Sequence, residues 1–240
     1  MNSNTTRRLV WLIAMVSGLG SAGCSLQPAA KGPAMDNFIR RQGDRLMDGP
    51  NEYRFISVNI PNLHYVEDDM RFSQSMPFRL PDDYEINDAL GTVGQMGGQV
   101  VRIYALPIRR ADDCDNVPRY ITGPGAFNEE AFVALDRVLV AARRHGVRLI
   151  VPFVDQWSWW GGQAELAAFR GKTLKDCWTD PQLIDDYKQI IAFVVNRRNT
   201  VTGVRYRNDP AILAWETGNE LNAPASWTQQ IAAFIKSIDH

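Results

Sequence analysis

Cysteine and histidine are scarce in this chain: 240 residues hold three of each. The histidines show no metal-ligand spacing, and neither an HExxH motif nor a Cys-Cys pair is present, so no metal site is expected. Neither sign of charge is in excess. With 26 Lys and Arg against 27 Asp and Glu the net charge is −1, which removes the electrostatic case for nucleic acid or strongly acidic partners. There is no internal repeat at solenoid spacing and no long low-complexity run. The first expected strand is followed by Asn59-Ile60-Pro61-Asn62 and not by a glycine-rich phosphate loop, which counts against an open-sheet nucleotide-binding enzyme.

The N-terminus reads as a targeting segment. Arg7-Arg8 precede the apolar run from Leu9 to Val16, followed by small residues and Ser21-Ala22-Gly23-Cys24. The run is too short for a comfortable transmembrane span. A Cys directly after Ala-Gly resembles the bacterial lipoprotein box, which would make Cys24 a lipidated new N-terminus. An ordinary signal peptide cleaved nearby is the alternative. Either reading puts the mature protein outside the cytoplasm (periplasm, outer membrane or cell surface), touching a membrane only through an N-terminal lipid. Residues 1–24 are thus expected to be signal, 25–35 a small, polar tether, and 36–240 the folded part.

Beyond the tether, short apolar runs alternate with amphipathic stretches. Strands are expected over Arg54–Asn59, Gln99–Tyr104, Val147–Val154 and Ala211–Trp215. Helices are expected from Tyr84 to Met96, from an Asn128 cap to Gly146, from Pro181 to about Arg198, and from a Ser226 cap to about Ile238. The second helix would bury Phe132, Leu135, Val138, Leu139 and Ala142, spaced by three and four. Near-continuous apolar strands separated by such helices imply a parallel sheet covered by helices, either an open doubly wound sheet or part of an eight-stranded barrel.

The last of those strands carries the strongest chemical signal, Trp215-Glu216-Thr217-Gly218-Asn219-Glu220-Leu221. In a parallel α/β barrel the C-terminal strand ends form the active face. A carboxyl group there, amid tryptophans, can act as an acid near neutral pH, and the neighbouring amide can bond a sugar hydroxyl, a pairing suited to glycosidic bond cleavage. Four of the seven Trp (Trp157, Trp159, Trp160 and Trp178) fall in expected loops or at strand ends, where indole planes can stack on sugar rings; core packing is the plain alternative for each.

Strand-end Arg102, the loop from Asp155-Gln156-Trp157 to Gly161-Gly162, Thr179-Asp180-Pro181 with Tyr187-Lys188, Arg198-Asn199, and Trp215 to Leu221 occur in an order that resembles glycoside hydrolase family 5, in its endo-β-1,4-mannanase branch. The resemblance covers roughly residues 36–240 and implies a (β/α)8 TIM barrel, of which this chain carries about the first four β/α units. It implies a retaining hydrolase of β-linked polysaccharide, β-mannan above all, without metal or organic cofactor. By match Glu220 is the acid/base, Asn219 contacts the sugar 2-hydroxyl, and Arg102 orients the nucleophile, a second Glu that would end a seventh strand, beyond these four units. A catalytically inactive carbohydrate-binding half-barrel is the alternative.

Several residues keep two readings. Glu220 can instead be a charge stabilising a following helix N-terminus. Glu216 reads as an ion-pair partner of Arg102 or Arg148. His64, after the first strand, is a sugar contact or a surface histidine. Once Cys24 is assigned to the signal, Cys114 and Cys177 remain. In an oxidising compartment an even count favours a disulfide clamping the two loops that follow the second and third strands; two separate thiols are the alternative.

Overall fold

The structure is a computed structural model that describes residues 35–68 and 78–239, all within the unit Lys31–His240. The expected signal segment, Cys24 and the tether up to residue 34 lie outside the described residues.

The described chain begins with three short antiparallel strands, β1 (Ile39–Gln42), β2 (Arg45–Asp48) and β3 (Asn51–Glu52). Ile39 faces Asp48 and Gln42 faces Arg45 across a two-residue turn that puts Gly43 at φ 64°, the left-handed region that a hairpin turn demands. There follow β4 (Ser57–Asn59), the small antiparallel pair β5 (Val66–Glu67) and β6 (Phe78–Arg79), and helix α1 (Asp83–Gln95). Next come β7 (Val100–Arg102), the hairpin β8 (Ile121–Gly123) and β9 (Ala126–Phe127), and α2 (Glu129–His145). The last elements are β10 (Arg148–Pro152), α3 (Gln163–Ala168), α4 (Pro181–Asn196), β11 (Ile212–Glu216) and α5 (Ala225–Ile238). Among the described residues no helix is long and apolar enough to cross a membrane.

The organising feature is a parallel sheet in the order β4-β7-β10-β11. Each strand pairs with the parallel strand that follows it in sequence, always in the same direction, and the order never reverses. A doubly wound sheet would reverse at a switch point; steady progression is the winding of a barrel. α1 connects β4 to β7, α2 connects β7 to β10, and α3 and α4 connect β10 to β11.

Local chemistry sets the helix ends. Asp82 and Glu85 form a reciprocal capping box at α1, with Glu85 N–H donating to Asp82 Oδ1 at 2.8 Å and Asp82 N–H to Glu85 Oε2 at 2.9 Å. Asn128 caps α2, and Gly146 at φ 71° ends it. Asp180 accepts from the N–H groups of Gln182 and Leu183 at the start of α4, and Pro181 occupies the first turn. The expected core face of α2 is buried in full: Phe132, Leu135, Val138, Leu139 and Ala142. Ser226 does not cap α5. Pro224 holds the N-cap, with extended backbone at φ −61° and ψ 149°, so the helix starts at Ala225 and Ser226 falls inside its first turn.

A buried ionic cluster ties α2 to the end of α4 and the segment after it. Asp136 on α2, fully buried, accepts from Arg197 Nε and Nη2 (3.0 and 2.7 Å), Tyr206 Oη (2.7 Å) and Thr200 Oγ1 (2.8 Å). Arg197 also makes a two-pronged bond to the exposed Glu129 at 2.9 and 2.8 Å. The far end of the sheet is tied down by Arg148, which donates to Asp48 Oδ2 at 2.9 Å and to the carbonyls of Asn37 and Pro210.

Candidate active site

Arg102 is the last residue of β7 and Glu216 the last of β11, and each carries its side chain to the C-terminal end of the sheet. Arg102 Nε and Nη2 both reach Glu216 Oε2, at 2.8 and 2.7 Å, and Nη2 also donates to Asn219 Oδ1 at 3.1 Å. Of the two partners expected for Glu216, Arg102 is the one it has; Arg148 lies at the other end of the same sheet.

The segment after β11 is pinned to the segment after β10. Asn219 N–H donates to Val154 O at 2.9 Å, Gln156 N–H to Asn219 O at 3.0 Å, and Asn222 N–H to Gln156 Oε1 at 3.0 Å. This clasp holds Glu220 at φ 52°, the single positive-φ non-glycine residue among those described. A left-handed conformation costs a residue with a Cβ about 1–2 kcal/mol, and such strain concentrates at functional positions. The Glu220 side chain is exposed, and its Oε2 accepts from Trp157 Nε1 at 2.6 Å.

The loop from Trp157 to Trp160 divides its tryptophans. Trp157 is 54 % exposed and lies against Glu220. Trp159 is half-buried and donates to Glu67 Oε1 at 3.1 Å. Trp160 is a core residue, 1 % exposed, bonded to Glu67 Oε2 at 3.3 Å and packed edge-on to Tyr104 at 4.8 Å between ring centres. Trp160 is thus corrected from sugar contact to support beneath the loop. Trp178 likewise packs against the hydrophobic core, edge-on to Trp227 at 5.2 Å. His64 is corrected as well. It is fully buried, its Nε2 sits 2.8 Å from Tyr104 O, and burial lowers its pKa to about 3, leaving a neutral ring with no access to a ligand.

The expected disulfide is absent: Cys114 and Cys177 are not bonded to each other. Cys177 turns into a small apolar cluster with Ala167 and Leu183, its Sγ donates to Gln163 O at 3.3 Å, and burial pushes its thiol up to about 12. The two loops are joined by arginines instead. Arg110 Nη1 donates to the carbonyls of Ser158 (2.7 Å) and Trp159 (2.9 Å), and Arg119 Nη1 to Trp160 O at 2.7 Å.

The loop closes on Gly161-Gly162, where backbones meet too closely for any side chain. A Cβ on Gly161, at φ 80°, would stand 1.8 Å from Ile108 O, and one on Gly162 would stand 2.4 Å from Asp155 O. Gly161→Ala is expected to lower stability by roughly 2 kcal/mol or more, through overpacking and left-handed strain together. Urea unfolding of the two proteins measures it, and a difference below about 0.5 kcal/mol, the size of an ordinary surface substitution, would refute the account.

Two further polar residues belong to the site, Tyr104 and Asp155, and no local sequence pattern marks either. Tyr104, two positions beyond Arg102 and so on the same side of an extended chain, donates its hydroxyl to Asp155 Oδ2 at 2.9 Å. Asp155, 1 % exposed, also accepts from Asn219 Nδ2 at 2.9 Å through Oδ1. Burial pushes the Asp155 carboxyl up, against the hydrogen bonds that favour its charged form. Among the described residues no group of His, Cys, Asp and Glu could hold a metal ion.

A sheet wound in strand order, with an Asn-Glu pair at a strand's C-terminal end under a tryptophan loop, defines an α/β barrel of the glycosidase kind. The chain belongs to glycoside hydrolase family 5: the family model described as "GH family 5 beta-mannosidase-like" matches residues 36–240. It is 32 % identical over 216 residues to mannan endo-1,4-beta-mannosidase 1 of Oryza sativa subsp. japonica, covering 84 % of this chain and 46 % of the relative. It is 38 % identical over 130 residues to mannan endo-1,4-beta-mannosidase 7 of Arabidopsis thaliana, 48 % of this chain and 30 % of the relative. Among solved structures, the glycoside hydrolase family 5 mannosidase from Rhizomucor miehei superposes with a TM-score of 0.71 at 25 % identity, over 86 % of this chain and 55 % of that one. The hyperthermostable endo-1,4-beta-D-mannanase from Thermotoga petrophila RKU-1 gives 0.65 at 28 %, over 78 % and 53 %. The chain spans less than half the length of these two plant relatives. The four parallel βα units are therefore part of a (β/α)8 barrel.

Proposed function

We propose that this chain carries the acid/base half of an endo-acting β-mannan hydrolase that retains anomeric configuration. The observation that carries the reading is Glu220, exposed at the sheet's C-terminal end and bonded to Trp157, beside an Asn219 that Arg102 holds. Glu220 protonates the leaving oxygen and then deprotonates the water that releases the sugar. The nucleophile is a second carboxylate, about 5–5.5 Å from the first, contributed by strands outside this chain. Glu216 is not that group: it ends β11, the fourth parallel strand, whereas the nucleophile that the resemblance implies ends the seventh. Asn219 bonds the 2-hydroxyl of the ring being cleaved, and Trp157 and Trp159 offer indole faces to neighbouring rings. Mannan as substrate rests on the names of the relatives. Residues 1–240 alone are inactive on β-mannan and β-glucan, because a double displacement needs both carboxylates. The protein acts outside the cytoplasm, a reading that rests on Arg7-Arg8, the apolar run after them and the Ala-Gly-Cys at residues 22–24.

The test is hydrolysis of β-1,4-mannan by the full-length protein, with the first-formed sugar anomer followed by proton NMR. Initial release of the β-anomer is expected; release of the α-anomer, or no cleavage of any β-glycan, would overturn the reading.

A further inference from the structure

We propose that Asp155, anchored by Tyr104, is a positioning residue that fixes which way the Asn219 amide faces. The inference rests on the glycosidase reading of the same site and adds a residue to it. An amide side chain has two chemically different ends, a carbonyl that only accepts and an NH2 that only donates. Turned by half a rotation about its last bond, Asn219 would offer a 2-hydroxyl the opposite hydrogen bond. Arg102 constrains one end, since its guanidinium donates to Asn219 Oδ1 at 3.1 Å. Asp155 constrains the other, accepting from Asn219 Nδ2 at 2.9 Å on Oδ1. The flipped amide would set its NH2 against a guanidinium, donor on donor, and its carbonyl against a carboxylate.

Asp155 is itself fixed. Its second oxygen takes the Tyr104 hydroxyl at 2.9 Å, and Asn219 Nδ2 also lies 3.2 Å from Tyr104 Oη. Tyr104 is held in turn by His64, whose Nε2 is 2.8 Å from its carbonyl, and by the Trp160 ring. The chain of support runs from a neutral buried histidine, through a tyrosine and a buried carboxylate, to the amide beside Glu220. A carboxylate suits its place because both of its oxygens accept. Asparagine there offers one acceptor to two donors and turns an N–H toward the other.

The experiment compares the full-length enzyme with Asp155→Asn on two substrates: an aryl β-mannobioside, and its analogue lacking the 2-hydroxyl on the ring at the bond cleaved. Asp155→Asn is expected to lower kcat at least tenfold on the first with KM nearly unchanged, and less than threefold on the analogue, which has no 2-hydroxyl to misplace. An equal loss on both substrates, or no loss, would overturn the proposal, since a merely structural role does not distinguish them. Tyr104→Phe deletes one anchoring hydroxyl and is expected to give the same pattern in weaker form; it decides the matter if Asp155→Asn does not fold. Selective asparagine 15N labelling separates this idea from the reading it rests on. The Asn219 side-chain amide protons are expected to exchange slowly in the wild type and quickly in Asp155→Asn whatever the substrate. Unchanged exchange would overturn the proposal, while a wild-type protein inactive on mannosides with the exchange difference intact would sink the function and leave the positioning role.

Discussion

Glu220→Gln in the full-length enzyme is expected to cut kcat on a β-mannan substrate with a poor leaving group by about 10²–10⁴-fold, the usual worth of a positioned general acid. The replacement is nearly isosteric. The side chain is exposed and its amide oxygen can still accept from Trp157 Nε1, so the clasp between the two strand-end loops should survive and the protein should fold. What is lost is the proton. An aryl glycoside with a good leaving group does not need it for the first step, so the glycosyl-enzyme should form and then accumulate, because no base remains to activate water. Azide needs no such base. Adding it should restore turnover on the activated substrate and yield a β-glycosyl azide, the retained product of two inversions. Turnover of the mutant on mannan close to wild type would remove Glu220 from the acid/base role and revive the plainer reading of a charge stabilising a following helix N-terminus.

Why Glu220 could be singled out from sequence, and Asp155 could not, follows from the range of the forces involved. The Asn219-Glu220 pair ends an apolar run after Asp209-Pro210, so neighbouring residues already say strand, strand end and carboxylate. The face of α2 and its glycine stop at Gly146 are local in the same sense, as are the Asn128 cap and the start of α4 at Pro181. The bond from Tyr104 to Asp155 spans 51 residues and that from Arg102 to Asn219 spans 117, and no short-range pattern encodes either. The β1–β3 meander escaped for another reason. Its strands are polar and mostly exposed, so they show no alternation, and only the turn glycines Gly43 and Gly49 mark them. For the aromatics, a run of Trp, Ser, Trp, Trp in a loop does not reveal which ring faces out. That is settled by Glu67, a buried carboxylate about 90 positions away that draws the indole N–H groups of Trp159 and Trp160 inward and leaves Trp157 exposed. The cysteines failed on the same point. Parity and compartment say that two thiols can pair, but Cys177 is drawn into the apolar contact of Ala167 and Leu183.

The largest stability effect is expected far from the site, at Asp136. This carboxylate is fully buried and accepts five hydrogen bonds, two from Arg197, two from Thr200 and one from Tyr206. Asp136→Ala leaves the Arg197 guanidinium, whose side chain is 5 % exposed, with Glu129 alone, and Glu129 is 63 % exposed. The buried Tyr206 hydroxyl loses its acceptor at the same time. Breaking a buried pair by removing one partner typically costs about 3–5 kcal/mol, because the remaining charge has been taken out of water and given nothing in exchange. Glu129→Ala removes the other carboxylate from the same arginine but from the solvent side, where the pair is worth under about 1 kcal/mol. The contrast between the two is the useful measurement, since both delete an acidic partner of one guanidinium, while only Asp136 is buried and also holds Thr200 and Tyr206. Urea titration should show a much lower midpoint for Asp136→Ala, an unchanged slope, and little change for Glu129→Ala. In the full-length enzyme the melting temperature of Asp136→Ala should fall by several degrees, the shift per kcal/mol being smaller the larger the domain. Catalytic rate below that temperature should hold, because none of the Asp136 contacts involves Arg102, Asn219 or Glu220. Equal costs for the two variants would mean that water reaches Arg197 and that α2 and α4 are held together by apolar contacts such as Phe132 on Phe193, and not by the ion cluster.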